Sequence, residues 1–260
     1  MPFDLDLAIA LAGLLVGFTV GLTGMGGGAL MTPIMVLFFK VSPLAAVSSD
    51  LLVSLIMKPV GGGVHLRRGT VRKDIALWLC LGSVPAAFVG VLLLKWLGAH
   101  NIDDLLKRAL GLALLASAGS ILLRRLIDRR RAEGWEPPPA VLKRSTTLAV
   151  GVVGGLVVGM TSVGSGSLII VMLLFVYPGL RSSELVGTDL VQAIPLVGSA
   201  ALGHVFFGDV RLGLTASLLL GALPGVYVGA RMSAHAPDKV VRPALFVVLL
   251  TSGLKLVQVI

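Results

Sequence analysis

Long apolar runs, separated by short polar turns, recur along the whole sequence and constrain its fold more than any other feature. A run of about 20 such residues can cross the hydrocarbon core of a bilayer as a helix. Charged residues make up 13% of the chain and its mean hydropathy is +0.97, whereas soluble domains carry about 25% charged residues. The sequence therefore predicts an all-α polytopic membrane protein with apolar segments near 5–23, 29–39, 44–66, 74–98, 106–127, 147–161, 167–178, 184–207, 212–233 and 239–260.

Two of these segments, 29–39 and 167–178, are too short to cross a bilayer. About a dozen helical residues extend roughly 18 Å, and the hydrocarbon core is about 30 Å thick. Each short segment follows a stretch rich in glycine or serine, residues 24–28 in one case and 162–166 in the other. Glycines release the backbone from helical geometry, so both stretches are predicted helix breaks. Whether the short segments cross fully or re-enter is left open.

The two halves of the chain are related in sequence. Residues 17–30 match residues 155–168 at seven of fourteen positions, and a second stretch, 47–90, aligns with 186–229. This repeat predicts an N-terminal transmembrane repeat at residues 1–127 and a C-terminal transmembrane repeat at residues 147–260. Residues 128–146 between them are predicted to form a basic and Pro-rich cytoplasmic linker that cannot continue a helix.

Basic residues concentrate in the loop at 67–73 and in the linker, which places both on the cytoplasmic side by the positive-inside rule. The counterpart of the 67–73 loop, 206–212, holds only Arg211 against Asp209, and the counterpart of the 99–105 loop is 232–242, with Lys239 and Arg242. Five segments per half then put equivalent loops on opposite faces. The sequence thus predicts an inverted-topology repeat of about five hydrophobic segments each, with both termini outside. Inverted repeats with broken helices are typical of secondary transporters.

The net charge of +9 has this topological explanation, and no aromatic residues are interleaved with the basic runs, so no nucleic-acid partner is expected. Cys80 is the single cysteine, which excludes a disulfide within the chain and a cysteine-based metal site. No cofactor and no metal are predicted. The expected partners are membrane lipid and a small anionic substrate, and a homo-oligomer is left open.

Several motifs resemble the TauE/SafE family of sulfite and organosulfonate exporters, the TSUP permeases. They are the stretches 21–28 and 46–51 and their counterparts at 159–166 and 186–190, and the resemblance covers nearly the full chain. It implies a multi-pass permease of a bacterial-type inner (plasma) membrane, with sulfite or a related sulfonate as the substrate and export as the expected direction. The residues themselves suit uptake and export equally.

The helix breaks are the first candidate site. The start of a helix exposes free N–H groups at the positive end of its dipole, and such an end binds anions. Two breaks that face each other would form an anion site near the midplane. The alternative is that these glycines only allow close helix packing. The substrate-binding candidates at the breaks are Thr23, Gly24, Gly26, Gly27, Gly28, Thr161, Ser162, Gly164, Ser165 and Gly166.

Four titratable residues occupy matched positions in the two halves. Asp50 and Asp189 lie near the starts of their segments, where they could carry a coupling proton or simply cap a helix. His65 and His204 lie near segment ends, where they could transfer protons or serve only as interfacial packing. All four are proton-coupling candidates.

Lys58 is the remaining candidate for substrate binding. No other charge lies between residues 51 and 64, and the repeat places Val197 at the equivalent position. A cation inside a membrane span is costly and is usually functional or paired, in this case with the substrate anion or with Asp50. The alternative is that Lys58 extends to the membrane interface.

Other classes of function are less favoured. The sequence carries no HExxH, GxSxG or ATP-binding GxxxxGK[ST] motif, which argues against a membrane enzyme and against direct ATP hydrolysis. Matched intramembrane polar residues argue against an accessory subunit. An anion channel is left open.

Overall fold

The computed structural model describes residues 6–23, 27–97, 102–133, 138–232 and 238–258. Within these ranges the chain forms ten α-helices and no β-strand. The helices are α1 (Leu7–Thr23), α2 (Gly28–Leu37), α3 (Pro43–Arg67), α4 (Lys73–Leu97), α5 (Ile102–Ala132), α6 (Arg144–Thr161), α7 (Leu168–Val176), α8 (Ser182–Phe207), α9 (Leu212–Met232) and α10 (Asp238–Gln258). The all-α prediction is confirmed.

Six helices in the described ranges, α3, α4, α5, α6, α8 and α9, are long and apolar enough to cross a membrane. In contrast, α2 has ten residues and α7 has nine. At 1.5 Å per residue these two helices are only about 15 Å and 14 Å long, half of the hydrocarbon core. Both short segments are therefore half-helices.

The helices pack in pairs. Helix α1 packs mainly on α9 and α4 on α6, while α3 packs on α8, which also packs on α4, and α5 packs on α10. Exchanging α1–α5 for α6–α10 interchanges the first two pairings, leaves α3–α8 and α5–α10 unchanged, and turns α4–α8 into α3–α9, which also pack together. This pattern supports the inverted repeat, which stays a prediction in its details.

Glycines allow the closest of these approaches. A Cβ placed on Gly13 of α1 would lie 2.6 Å from the carbonyl oxygen of Leu218 in α9, and one on Gly151 of α6 would lie 2.5 Å from that of Leu79 in α4. Both distances are shorter than a Cβ tolerates. Close helix contact through small residues is the usual way in which membrane helices associate, since lipid gives no hydrophobic drive for their association.

The central pair, α3 and α8, is antiparallel. Gly208 at the end of α8 lies beside Ser48 near the start of α3, and Gly187 near the start of α8 lies beside Thr70, just beyond the end of α3. The middle of α3 therefore faces the middle of α8. This arrangement brings residues from the two halves of the chain together near the middle of the helix bundle.

The two basic loops lie on one face, as the charge bias requires. Nη2 of Arg72, in the loop after α3, donates a hydrogen bond to the carbonyl oxygen of Ala140 in the linker (3.3 Å). Hydrogen bonding to Asp74 raises the pKa of the Arg72 guanidinium above its usual value, so this residue stays cationic. Which face is cytoplasmic stays a prediction.

One expectation about the linker is wrong. Helix α5 continues to Ala132, so the first residues of the predicted linker are helical, and α6 begins at Arg144. Arginine and alanine are good helix formers, and the sequence after residue 127 contains no proline before residue 137. The basic character of this stretch therefore does not end the helix.

Candidate functional site

Three charged side chains are buried in the middle of the bundle. Asp50 and Lys58 belong to α3 and Asp189 to α8, and their exposed fractions are 0%, 5% and 1%. Lys58 lies about 22 Å along a helix of about 37 Å, at 1.5 Å per residue. The N-caps are Ser42 for α3 and Arg181 for α8, so the interpretation of the two aspartates as helix caps is wrong.

Asp50 is surrounded by hydroxyl groups. Its Oδ2 accepts hydrogen bonds from Thr32 Oγ1 in α2 (3.1 Å) and from Ser162 Oγ just after α6. Its Oδ1 is buried and has no hydrogen-bond partner, and the same is true of the neighbouring Ser49 Oγ. The carboxylate thus joins three elements and keeps one oxygen unsatisfied.

Lys58 does not extend to an interface, so that alternative is wrong. Its Nζ donates a hydrogen bond to Ser165 Oγ, between α6 and α7. The charge of Asp189 acts on it most strongly among the carboxylates, followed by that of Asp50. No direct ion pair joins Lys58 to either carboxylate in the described part of the chain. The ammonium therefore keeps donors that no carboxylate occupies.

Asp189 is held by nitrogen donors. Its Oδ1 accepts a hydrogen bond from Gln192 Nε2 (3.0 Å), and Gln192 Oε1 in turn accepts one from Ser83 Oγ in α4 (3.2 Å). The backbone N–H of Gly166 is close to the carboxylate. Its Oδ2 is buried and makes no hydrogen bond.

The break between α6 and α7 passes all three charges in order. Ser162 contacts Asp50, Ser165 contacts Lys58, and Gly166 is close to Asp189. The helix ends because the backbone φ angle becomes positive at Ser162 (60°), Gly164 (128°) and Gly166 (91°). Positive φ is the region that glycine adopts at no steric cost, which explains the glycines at the last two positions.

Thr161, another candidate in this break, bonds within its own turn. Its Oγ1 donates to the carbonyl oxygens of Val157 (2.6 Å) and Val163 (3.1 Å) and accepts from the Val163 amide (3.2 Å). It stabilises the break, and in the described structure its hydroxyl makes no hydrogen bond to Asp50, Lys58 or Asp189.

Among the residues described for the first break, Gly28 lies against the second break. A Cβ on Gly28 would collide with the carbonyl oxygen of Ser162, so Gly28 permits close packing of the two breaks. At Gly27 a Cβ would have ordinary space, and its carbonyl accepts the Leu30 and Met31 amides at the start of α2. Gly24, Gly26 and the side chain of Thr23 lie outside the described residues.

The histidines are not part of this cluster. His204 is buried, with Nε2 donating to the Gly159 carbonyl (2.9 Å) and Nδ1 lying 2.8 Å from Ser48 Oγ. Nδ1 of His65, at the opposite end of the α3–α8 pair, lies 2.8 Å from Thr70 Oγ1. The hydrogen bonds of each histidine connect helices or loops at one end of the bundle. A role in proton transfer stays a prediction for both.

The sequence did not single out Thr32, Ser83 or Gln192, although all three bond to the cluster directly or through one residue. Their only signal is polarity inside an apolar segment, which many serines and threonines of this chain share. Gln192 was the most recognisable, because it lies one helical turn after Asp189.

The cluster holds two carboxylates and one ammonium, for a formal charge of −1 when all three are ionised. No group of three or more His, Cys, Asp or Glu side chains that could hold a metal ion occurs among the described residues. Buried charges at a broken helix, enclosed by membrane-spanning helices, define a multi-pass integral membrane protein of the transporter class.

Comparison with known proteins agrees with this class. The chain belongs to the sulfite exporter TauE/SafE family, whose model matches residues 9–256. It is 37% identical over 256 residues to the "Probable membrane transporter protein YjnA" of Bacillus subtilis (strain 168), covering 97% of this chain and 100% of the relative. Identity is 27% over 250 residues with YdhB of the same organism, also named a probable membrane transporter protein, covering 96% and 99%. No solved structure gives a significant match.

The family and these names indicate a membrane transporter and not an enzyme. Together with the six candidate spans they define a multi-pass protein of the bacterial plasma membrane with a small-molecule substrate and a lipid environment.

Proposed function

We propose that this protein is a secondary transporter that exports a small sulfur-containing anion, such as sulfite or an organosulfonate. The observation that carries the proposal is the position of Lys58: a buried ammonium, halfway along α3, whose hydrogen bond is to a serine of a helix break. The family assignment supports the sulfur-containing substrate.

The site suits a compact oxyanion. The Lys58 ammonium has three donors, and Ser165 Oγ adds a hydroxyl beside it. Helix α7 begins three residues later and directs the positive end of its dipole toward the same place. An anion bound there would replace the water that a buried ammonium has lost, which lowers the cost of burying the charge.

Proton coupling follows from the charge of the cluster. An anion added to a cluster of formal charge −1 brings further negative charge into a region of low dielectric. Uptake of a proton offsets that charge. The candidates for the proton are Asp50, Asp189, His65 and His204. Of these, the two aspartates interact electrostatically with Lys58.

Anion binding to the purified protein tests the site. A ligand that binds only the folded protein raises its thermal stability in proportion to the logarithm of its concentration over Kd. We expect sulfite, thiosulfate or sulfoacetate to stabilise the wild type more than chloride does. Lys58→Ala should weaken the binding about tenfold to hundredfold, because a hydrogen bond to a charged group contributes roughly 1.5–3 kcal/mol.

The matched control is Lys107→Ala, which removes a partly buried lysine paired with the exposed Asp104 near the start of α5. It should bind as the wild type does. Equal anion affinity in Lys58→Ala and Lys107→Ala would show that Lys58 does not hold the substrate.

A further inference from the structure

We propose that the two buried aspartates have different tasks: Asp50 carries the coupling proton, and Asp189 remains ionised as the fixed counter-charge of Lys58. This division rests on the proposed anion transport and specifies its coupling group. It follows from the kinds of atoms that surround each carboxyl group.

Asp189 has only donors around it. The amide nitrogen of Gln192 is hydrogen-bonded to Oδ1, the backbone N–H of Gly166 is close by, and Lys58 supplies the opposite charge that acts on the carboxylate. As bonded here, none of these nitrogen donors accepts a hydrogen bond from a carboxylic acid, and acceptance would require the Gln192 amide to turn over and give up its present bonds to Asp189 and Ser83. A proton on Asp189 would therefore disrupt this hydrogen-bond chain and would leave Lys58 without its main counter-charge.

Asp50 is bonded to hydroxyls, which can donate or accept. Thr32 and Ser162 donate to the ionised group in this structure, and each can rotate to accept from the protonated one. Each aspartate has one buried oxygen without a hydrogen-bond partner, Oδ1 of Asp50 and Oδ2 of Asp189, so the two groups differ in their bonded neighbours, which are hydroxyls at Asp50 and nitrogen donors at Asp189. Ser162 also ends α6, whose dipole is negative at this end and favours added positive charge.

Few other titratable groups lie on the elements that pack around the two aspartates. Lys58 is on the same helix as Asp50, and α8 contributes Asp189 and His204, the latter bonded to Ser48 and Gly159. Helix α2 and the α6–α7 break present no titratable side chain. The central stretches of α4, α5 and α9 contain no Asp, Glu, Lys, Arg or His between residues 75–94, 109–123 and 212–230.

The break between α6 and α7 thus separates the proton-binding group from the anion-binding group. The end of α6 holds the proton on Asp50, and the start of α7 holds the anion on Lys58. Because the charges of an ionised Asp189 and of Lys58 cancel, the charge of Asp50 alone sets the cluster at −1 or 0. Anion affinity should therefore rise as pH falls, since protonation of Asp50 removes the negative charge that opposes binding.

Infrared difference spectra between acidic and alkaline buffer test the assignment without any anion. A buried carboxylic acid gives a carbonyl band that an ionised group lacks. We expect this band in the wild type, its loss in Asp50→Asn, and its retention in Asp189→Asn and in Asp209→Asn, a control that removes an exposed carboxyl paired with Arg211. Asp50→Glu, which keeps the acid, should shift the band and preserve it.

A second measurement follows proton uptake when sulfoacetate is added to weakly buffered protein. Uptake should occur in the wild type and fall to the protein-free baseline in Asp50→Asn. A band assigned to Asp50 without uptake for any tested anion would count against the proposed transport and leave the protonation of Asp50 in place. Loss of the band in Asp189→Asn, or its survival unshifted in Asp50→Asn and Asp50→Glu, would overturn the division of tasks.

Discussion

At the scale of the residue, the site is asymmetric although the two halves resemble each other. Asp50 and Asp189 occupy equivalent positions, but Lys58 has an apolar counterpart in Val197, which is itself buried. Only one half therefore supplies a cation at this position, and within the described residues, which leave out 24–26 of the first break, the break after α6 is the one that contacts it. A single anion site in a chain with two similar halves is the consequence that we draw.

Ser165 should contribute to anion affinity about as much as one hydrogen bond does. Ser165→Ala removes the hydroxyl that orients Lys58, and a hydrogen bond contributes about 0.5–1.5 kcal/mol, so anion affinity should fall roughly twofold to tenfold. Titration calorimetry with sulfoacetate measures this change. Ser199→Ala serves as the control, because its hydroxyl bonds to the Val84 carbonyl. An unchanged affinity in Ser165→Ala would remove this serine from the site.

At the scale of the element, glycines determine how closely the helices approach. Gly151→Ala should destabilise the protein by about 1–3 kcal/mol, since the new Cβ would meet the Leu79 carbonyl at 2.5 Å. Gly119→Ala, in α5, has open space and should be neutral or slightly stabilising, because alanine favours helix more than glycine does. Thermal unfolding in detergent compares the two variants, and equal melting temperatures would refute the packing argument.

Helix positions were predictable from the sequence because apolar length is a direct requirement of the bilayer. All ten segments became helices, with bounds that mostly agree within a few residues. The end of α5 was not predictable in this way, because residues 128–131 are polar and lie beyond the apolar run, yet they are helical. Similarly, proximity in sequence suggested Asp50 as the partner of Lys58, whereas the antiparallel α3–α8 contact brings Asp189 to it from the other half.

At the scale of the whole molecule, the inverted repeat predicts that equivalent loops lie on opposite membrane faces. Single cysteines at Arg68 and Asp209, introduced into a Cys80→Ser background, should react with a membrane-impermeant thiol reagent from opposite sides. We expect the first to be labelled from the cytoplasm and the second from outside, following the distribution of basic residues. Labelling of both from one side would contradict the inverted topology.

The central claim is that the buried Lys58 carries a sulfur-containing anion across the membrane. The most direct test is flux of sulfite and sulfoacetate into proteoliposomes that contain the purified protein, measured over a range of anion concentrations. We expect saturable flux in the wild type and in Lys107→Ala, and flux near that of protein-free vesicles in Lys58→Ala. Flux that is absent in the wild type, or equal in Lys58→Ala and the wild type, would contradict the claim.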